Sequence, residues 1–258
     1  MPILEGLYYF AQGAENFSRP PMILLHGVGG NHLFWPPQIR RLHDQRIFAV
    51  DLPGHGKSEG VGYHRINEYA EDIYTLIQSL KLNAVVLVGH SLGSAVALQM
   101  AVRFPKKLIG LGLLGAGARP RVAQRILTAS SNSNTFPAAV QMLMESSFAP
   151  GSNERLREQT AQRILESRPA VLSGDLAACE AFDLTDQLSR ISIPTLVLCG
   201  AEDKMTPPKY SEFLHRHIAN SRFGLIPHCG HMLMLEQPDR VAVLLDDFLN
   251  QIPYQPGK

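Results

Sequence analysis

Residues 84–95 read AVVLVGHSLGSA. The first five are apolar and mostly β-branched, the composition of a strand buried on both faces. Gly89, His90, Ser91, Leu92 and Gly93 follow, and the chain continues as Ser94-Ala95-Val96-Ala97-Leu98, which has helical character. A strand that turns at once into a helix forces its central residue into a strained backbone conformation. The residues two before and two after then crowd one another and must be nearly free of side chain. Gly89-x-Ser91-x-Gly93 meets that requirement and matches a nucleophile elbow, a turn that lifts a serine hydroxyl clear of a sheet. The pentapeptide is common by chance, so its flanks carry the reading.

Working outward, short apolar runs recur at 22–26, 47–51, 84–89, 109–114, 194–200 and 222–226, and these are predicted strands. Helical patterns lie between and after them, at 36–44, 66–80, 92–104, 207–219 and 238–250. Residues 3–11 offer an edge hairpin. Strand and helix in alternation imply an α/β fold, a mostly parallel twisted sheet with helices on both faces. About 75 residues between Gly115 and Pro194 break the alternation. They hold amphipathic pieces such as RVAQRILTA and PAAVQMLMESSF and no strong strand. A connection of that length needs structure of its own. The expected organisation is a core of residues 1–116 and 191–258 with a helical cap inserted at 117–190.

The whole chain sets outer bounds. It has 258 residues, 45% hydrophobic and 18% charged, with a net charge of +1. That suits one large α/β domain with a sizeable core. It gives no reason to expect nucleic acid or an anionic membrane as partner. No apolar run has the length of a transmembrane helix, and the N-terminal MPILEGLYYFAQGAENFSRP lacks the pattern of a signal peptide. The three cysteines, Cys179, Cys199 and Cys229, are odd in number and far apart, which favours free thiols in a reducing compartment. A soluble, cytoplasmic protein is expected, with the sequon at Asn16 unused. Oligomeric state is not legible.

A serine hydroxyl is a weak nucleophile until a base takes its proton. His231, in IPHCGHMLMLEQPD, is the candidate base. His228 is its rival, but Gly230 before His231 and a helix start after it suit an exposed loop histidine better. A third group must orient the imidazole. Asp203, in the loop GAEDKMTPP after the strand at 194–200, lies at the carboxyl edge where ligands of such sheets gather. Glu202 is adjacent. The chain order Ser91, Asp203, His231 is the order stated for one particular fold. An oxyanion needs fixed donors: Leu92 N–H follows the serine, and Val28 N–H lies in the glycine-rich HGVGG of residues 26–30. His26 is expected to order that loop by hydrogen bonding. His90 is expected to pack within the elbow, its side chain leaving the turn in another direction from Ser91.

These stretches resemble the α/β-hydrolase fold superfamily, in its serine-dependent, cap-bearing, carboxylesterase-like branch. ILLHGVGG, the Trp35 segment, FAVDLPGHGKSE, LVGHSLGSA, PTLVLCGAEDKMTPP and IPHCGHMLMLEQPD carry the resemblance, over roughly residues 20–115 and 190–250. It implies Ser91 as nucleophile, Asp203 as acid, His231 as base, and Val28 and Leu92 as oxyanion-hole positions. The expected activity is hydrolysis of small to medium, largely apolar carboxylic esters through an acyl-serine intermediate. Branches that cleave carbon–halogen bonds or epoxides need aspartate at the elbow, against which Ser91 argues. The alternatives are a carbon–carbon hydrolase of ring-cleavage products or a perhydrolase. Their elbows usually carry Asn or Phe in place of His90 and glycine in place of Ser94. A non-catalytic small-ligand receptor is a further alternative, marked by tight binding without turnover.

Other motifs lead elsewhere and fail. GHGKS at 54–58 ends like a phosphate-binding loop, but the pattern needs glycine at Asp51. Gly110-x-Gly112-x-x-Gly115 lies inside an apolar run, with no acid near residue 135 for a ribose. Those glycines are expected to admit a neighbouring element close to the strand. The ten histidines form no credible metal site. No cofactor or metal is expected. Met142, Met144, Phe148 and Met232 are candidates to line an apolar pocket, with plain packing as the rival reading. The cap arginines read as a solvated face.

Overall fold

A computed structural model describes residues 3–13 and 19–254 of the chain. The sequon at Asn16 lies outside the described residues. Eight strands form one sheet in the order β1-β2-β4-β3-β5-β6-β7-β8. β1 (Ile3–Leu4) and β2 (Leu7–Gln12) make the expected edge hairpin, and β2 runs antiparallel to β4. β3 (Met22–Leu25), β4 (Ile47–Val50), β5 (Val85–His90), β6 (Leu108–Leu114), β7 (Thr195–Gly200) and β8 (Ser221–Ile226) are mutually parallel.

The central strands β3 to β7 are apolar on both faces because helices cover both. Ile23, Leu25 and Leu87 point into one layer, with α2 (Ile66–Ser79), α3 (Leu92–Arg103) and Leu214 of α8 (Pro208–His217). Met22, Leu24, Val86 and Val88 point into the other, with α1 (Pro37–Arg40) and, near the C-terminus, α10 (Pro238–Leu249). The alternation follows the two-residue period of a strand. The predicted helix at 36–44 is only one turn long, since the backbone leaves helical geometry at Arg41.

Between β6 and β7 the chain forms four helices: α4 (Gln124–Ser130), α5 (Phe136–Ser147), α6 (Glu154–Leu165) and α7 (Pro169–Ala181). A one-turn helix, α9 (Leu233–Glu236), precedes α10. Val140, Leu143, Met144 and Leu176 join the same apolar cluster as β3 and β5, so the inserted helices share a continuous core with the sheet. Gly110 sits against Ile252, which follows α10, the approach of a helix or loop expected there, whereas Gly112 sits against Val88 of the adjacent strand β5.

The passage from β5 into α3 fixes the centre of the molecule. Ser91 has φ 53° and ψ −115°, a region that side chains disfavour by about 1–2 kcal/mol. A Cβ on Gly89 would overlap the Gly93 carbonyl, and one on Gly93 would overlap the Leu25 carbonyl at the end of β3. The turn is pinned to β6: Ser91 N–H donates to Leu114 O at 2.9 Å. The Ser94 hydroxyl accepts Leu114 N–H at 3.1 Å and donates to Gly89 O at 2.6 Å. Ser94 is thus a staple between strand and helix. Gly93→Ala should therefore cost about 3 kcal/mol or more, through overlap with backbone that cannot yield. Urea denaturation measures it, and a loss under about 1 kcal/mol would contradict the crowding.

Candidate functional site

Ser91, Asp203 and His231 stand at the ends of β5, β7 and β8, on the carboxyl edge of the sheet. His231 Nδ1–H donates to Asp203 Oδ2 at 2.8 Å, with the His231 side chain 3% and the Asp203 side chain 0% exposed. Asp203 also accepts Met205 N–H at 2.9 Å, Thr206 N–H at 2.8 Å and the Thr206 hydroxyl at 2.8 Å. Burial alone would raise its pKa. The His231 charge and these hydrogen bonds outweigh burial and hold it below the ordinary carboxylate value. The aspartate therefore stays ionised and keeps the Nδ1–H tautomer on His231. Nε2 of His231 is buried with no hydrogen-bond partner among the described residues, and its lone pair can accept a proton.

The rival acid and base lie apart from this pair. The His228 ring is 92% exposed, and its Nδ1 is 3.8 Å from Glu202. His228 takes φ 52°, which turns the chain so that His231 enters the core. That loop is held at three points. Gly230 N–H donates to Glu236 Oε1 at 2.8 Å, Met232 N–H to Ser147 O at 3.0 Å, and His90 Nε2–H to His231 O at 3.0 Å. Glu236 further accepts Ala149 N–H at 2.9 Å and so links the loop to the end of α5.

His90 thus does more than pack. It is 2% exposed, its ring lies 4.8 Å from that of His231, and it clamps the backbone of the histidine whose side chain meets Asp203. Burial pushes its pKa down to about 3, so it is neutral. With the proton on Nε2, Nδ1 has no partner among the described residues. That ring is one reason residue 27 is glycine, since a Cβ there would come within 2.8 Å of Nδ1.

A narrow cleft of about 20 Å³ joins these groups. Ser91, His90 and His231 line it, with Val28, Phe34, Met205 and Met232 from the core side and Leu143, Met144 and Ile164 from the inserted helices. Met144 and Met232 are two of the four expected lining residues. The other two are placed away from the wall. Met142 is half-buried on α5 one position from the lining face, and Phe148 is buried beside Gly230. Leu143 joins Met144 on the wall, because the helical phase of α5 turns both inward.

The loop at 26–30 is ordered by His26. Its Nδ1–H donates to Gly27 O at 2.8 Å, and its Nε2 accepts Leu52 N–H at 3.0 Å. Burial lowers its pKa to about 4, in keeping with a neutral ring. Asp51 of the GHGKS region accepts His32 N–H at 2.6 Å and Lys57 N–H at 2.9 Å, so that stretch is a backbone organiser of the same rim. Among the described residues no group of three or more His, Cys, Asp or Glu could hold a metal, and no helix is long and apolar enough to cross a membrane. The three cysteines are buried and unpaired.

The alpha/beta hydrolase fold family matches residues 20–238. A pimeloyl-[acyl-carrier protein] methyl ester esterase of Neisseria meningitidis serogroup B is 31% identical over 259 residues, covering 91% of this chain and 96% of that protein. A 3-oxoadipate enol-lactonase of Acinetobacter baylyi is 28% identical over 86% of this chain and 85% of its own length. Among solved structures, a thermophilic esterase superposes with a TM-score of 0.82 at 32% identity, over 95% of this chain and 98% of that one.

The depressed pKa of Asp203 has a sign that can be checked. A carboxylate held below its unfolded value of about 3.9 adds stability above that pH and loses it as pH falls through the folded value. Asp203→Asn removes this contribution. Its melting temperature should fall less steeply than the unsubstituted protein's between about pH 6 and about pH 3. Parallel acid profiles would show that the partners of Asp203 contribute nothing.

Proposed function

We propose, from the premise that the chain belongs to the alpha/beta hydrolase fold family, that it is a serine hydrolase cleaving small to medium, largely apolar carboxylic esters. The observation that carries this reading is the buried Asp203–His231 pair, whose Nε2 has no partner in a cleft that the strained Ser91 also lines. The similar proteins named above are esterases and a lactonase, which does not favour a carbon–carbon hydrolase or a perhydrolase. The three buried free thiols accord with a reducing, cytoplasmic setting.

In this reading Ser91 Oγ attacks the ester carbonyl carbon as His231 Nε2 takes its proton, and Asp203 stabilises the imidazolium. The carbonyl electrons move onto oxygen, which the Val28 and Leu92 N–H groups receive. Leu92 is the first residue of α3, so its N–H has no acceptor within the helix. Val28 lines the cleft, while the next two N–H groups of its turn are engaged: Gly29 with Asp175 at 2.9 Å and Gly30 with Gly27 O at 3.1 Å. Collapse of the tetrahedral adduct breaks the ester C–O bond, and the leaving alcohol takes the proton from His231. Water then attacks acyl-Ser91, giving its proton to His231, which returns it to Ser91 as the acid departs. The helices at 124–181 act as the cap of this site. Its wall of Leu143, Met144 and Ile164 binds the apolar portion of the substrate.

Purified protein should hydrolyse short p-nitrophenyl esters. Ser91→Ala should abolish turnover while the melting temperature stays within about two degrees, since the side chain loses only a hydroxyl. Retained turnover would sink the assignment. His231→Ala should lower kcat by about 10⁴ or more, and His228→Ala should leave it within about twofold. Equal losses would return the base to an open choice. A cleft this narrow further implies a kcat/KM at least about tenfold higher for butyrate than for laurate esters. A flat series across chain length would contradict that limit.

A further inference from the structure

The inserted helix α7 carries a carboxylate that the reaction above does not use. Asp175 is fully buried. Its Oδ2 accepts Gly29 N–H at 2.9 Å and His55 Nε2–H at 2.8 Å, and its Oδ1 accepts the Tyr69 hydroxyl at 2.7 Å. The partners come from three parts of the core: the 26–30 loop, the GHGKS loop and α2. Two residues of the core loops thus reach across 146 and 120 positions of sequence to one side chain.

The surroundings of His55 favour its charged form. Its Nδ1 faces Pro53 O at 3.0 Å and its Nε2 faces Asp175, so both nitrogens meet only acceptors. Burial alone would lower its pKa, but the Asp175 charge and hydrogen bond outweigh burial and the net direction is up. The ring packs 4.8 Å from that of neutral His26, which orders the start of the same loop. A buried ion pair costs desolvation that apolar packing of α7 would avoid, so mere attachment of the helix does not account for it.

What the carboxylate grips is the loop that bears Val28. Gly29 has φ 59°, and a Cβ there would press on Ile164 Cγ2 and Leu172 Cδ1 at 3.0 Å, both from the inserted helices. The far side of the turn is closed by Gly30 N–H to Gly27 O at 3.1 Å. His26 therefore holds this loop from the core, and Asp175 holds it from the insertion.

We propose that Asp175 is a positioning residue of the oxyanion hole: its bond to Gly29 aims the neighbouring Val28 N–H at the Ser91 site, so the hole is complete only when α7 is seated on the core. This rests on the serine-hydrolase reading above. Removing the carboxylate frees the loop, and the transition state loses part of a donor while ground-state binding is little changed.

The test compares the unsubstituted protein with Asp175→Ala, Asp175→Asn, Tyr69→Phe and Ser91→Ala on p-nitrophenyl butyrate. Affinity for phenylboronic acid, which adds to a serine as a tetrahedral anion, is measured alongside. Asp175→Ala should lower kcat about thirtyfold with KM within about twofold, and should weaken the boronate by a similar factor. Asn keeps one acceptor oxygen for Gly29, because the Tyr69 hydroxyl can turn to Tyr63 O at 3.3 Å. Asp175→Asn should therefore return kcat to within about fivefold of the unsubstituted protein. Tyr69→Phe removes a bond from the same carboxylate on its other oxygen. It should lower the melting temperature and leave kcat within about twofold. If Asp175→Ala does not fold, Asp175→Ser, too short to reach Gly29, decides by the same two quantities. Boronate affinity at the unsubstituted level in the Ala or Ser variant, or an equal loss of kcat in Tyr69→Phe, overturns this inference alone. An inactive unsubstituted protein, or an active Ser91→Ala, overturns the hydrolase reading and this inference with it.

Discussion

Everything at the carboxyl edge of the sheet depends on one crowded turn. Between β5 and α3 the backbone passes through φ 53° at Ser91, with Gly89 and Gly93 so close that neither admits a Cβ. A side chain held there costs about 1–2 kcal/mol, which the surroundings must offset. They do so with three bonds from Ser91 and Ser94 to the strand backbone and with a helix buried on nearly every side. α3 is apolar around its whole circumference because β5, β6, α2 and the inserted α7 all pack on it. The strained residue is thereby held by fully buried neighbours on either side while it stays only half-buried itself. That is the condition for a reactive group to keep its aim.

The second constraint is electrostatic. Asp203 gathers four donors, and His231 uses its only N–H on it. The consequence is an imidazole with a defined tautomer and an unpaired Nε2. His90 and Glu236 act on the same loop from its backbone, one through the His231 carbonyl and one through the Gly230 amide. The loop after β8 is short of regular structure, yet the side chains of His90 and Glu236 and the backbone carbonyl of Ser147 determine its path.

Much of this was legible in the residues. Five buried strands and the half-buried edge strand β8 read as apolar runs, and the elbow's glycine spacing follows from sterics that involve only five neighbouring residues. Asp203 and His231 were legible because each sits in a loop after a strand, and a parallel sheet brings such loops to one edge. What escaped was whatever depends on partners distant in sequence. Nothing local distinguishes Asp175 from any other helical acid, or His55 from a turn residue, since their meaning is a contact 120 residues apart. Met144 rather than Met142 faces the cleft because of the rotational phase of α5, which its partner surface sets. His90 read as a packing residue because its acceptor, a backbone carbonyl, leaves no trace in the sequence.

Ser94 bears on how the elbow could have been built otherwise. A second glycine there would ease the approach of strand and helix but would leave Leu114 N–H and Gly89 O without the hydroxyl that now serves both. Asp175 bears on the insertion as a module. Its single carboxylate is stitched to two loops and a helix of the core, and Gly29 is shaped to the insertion's own side chains. The insertion and the core are therefore not interchangeable parts. A chimera that took the helices of another member of this fold would import a surface without that stitch, and would have to change the core at Gly29, His55 and Tyr69 to accept it.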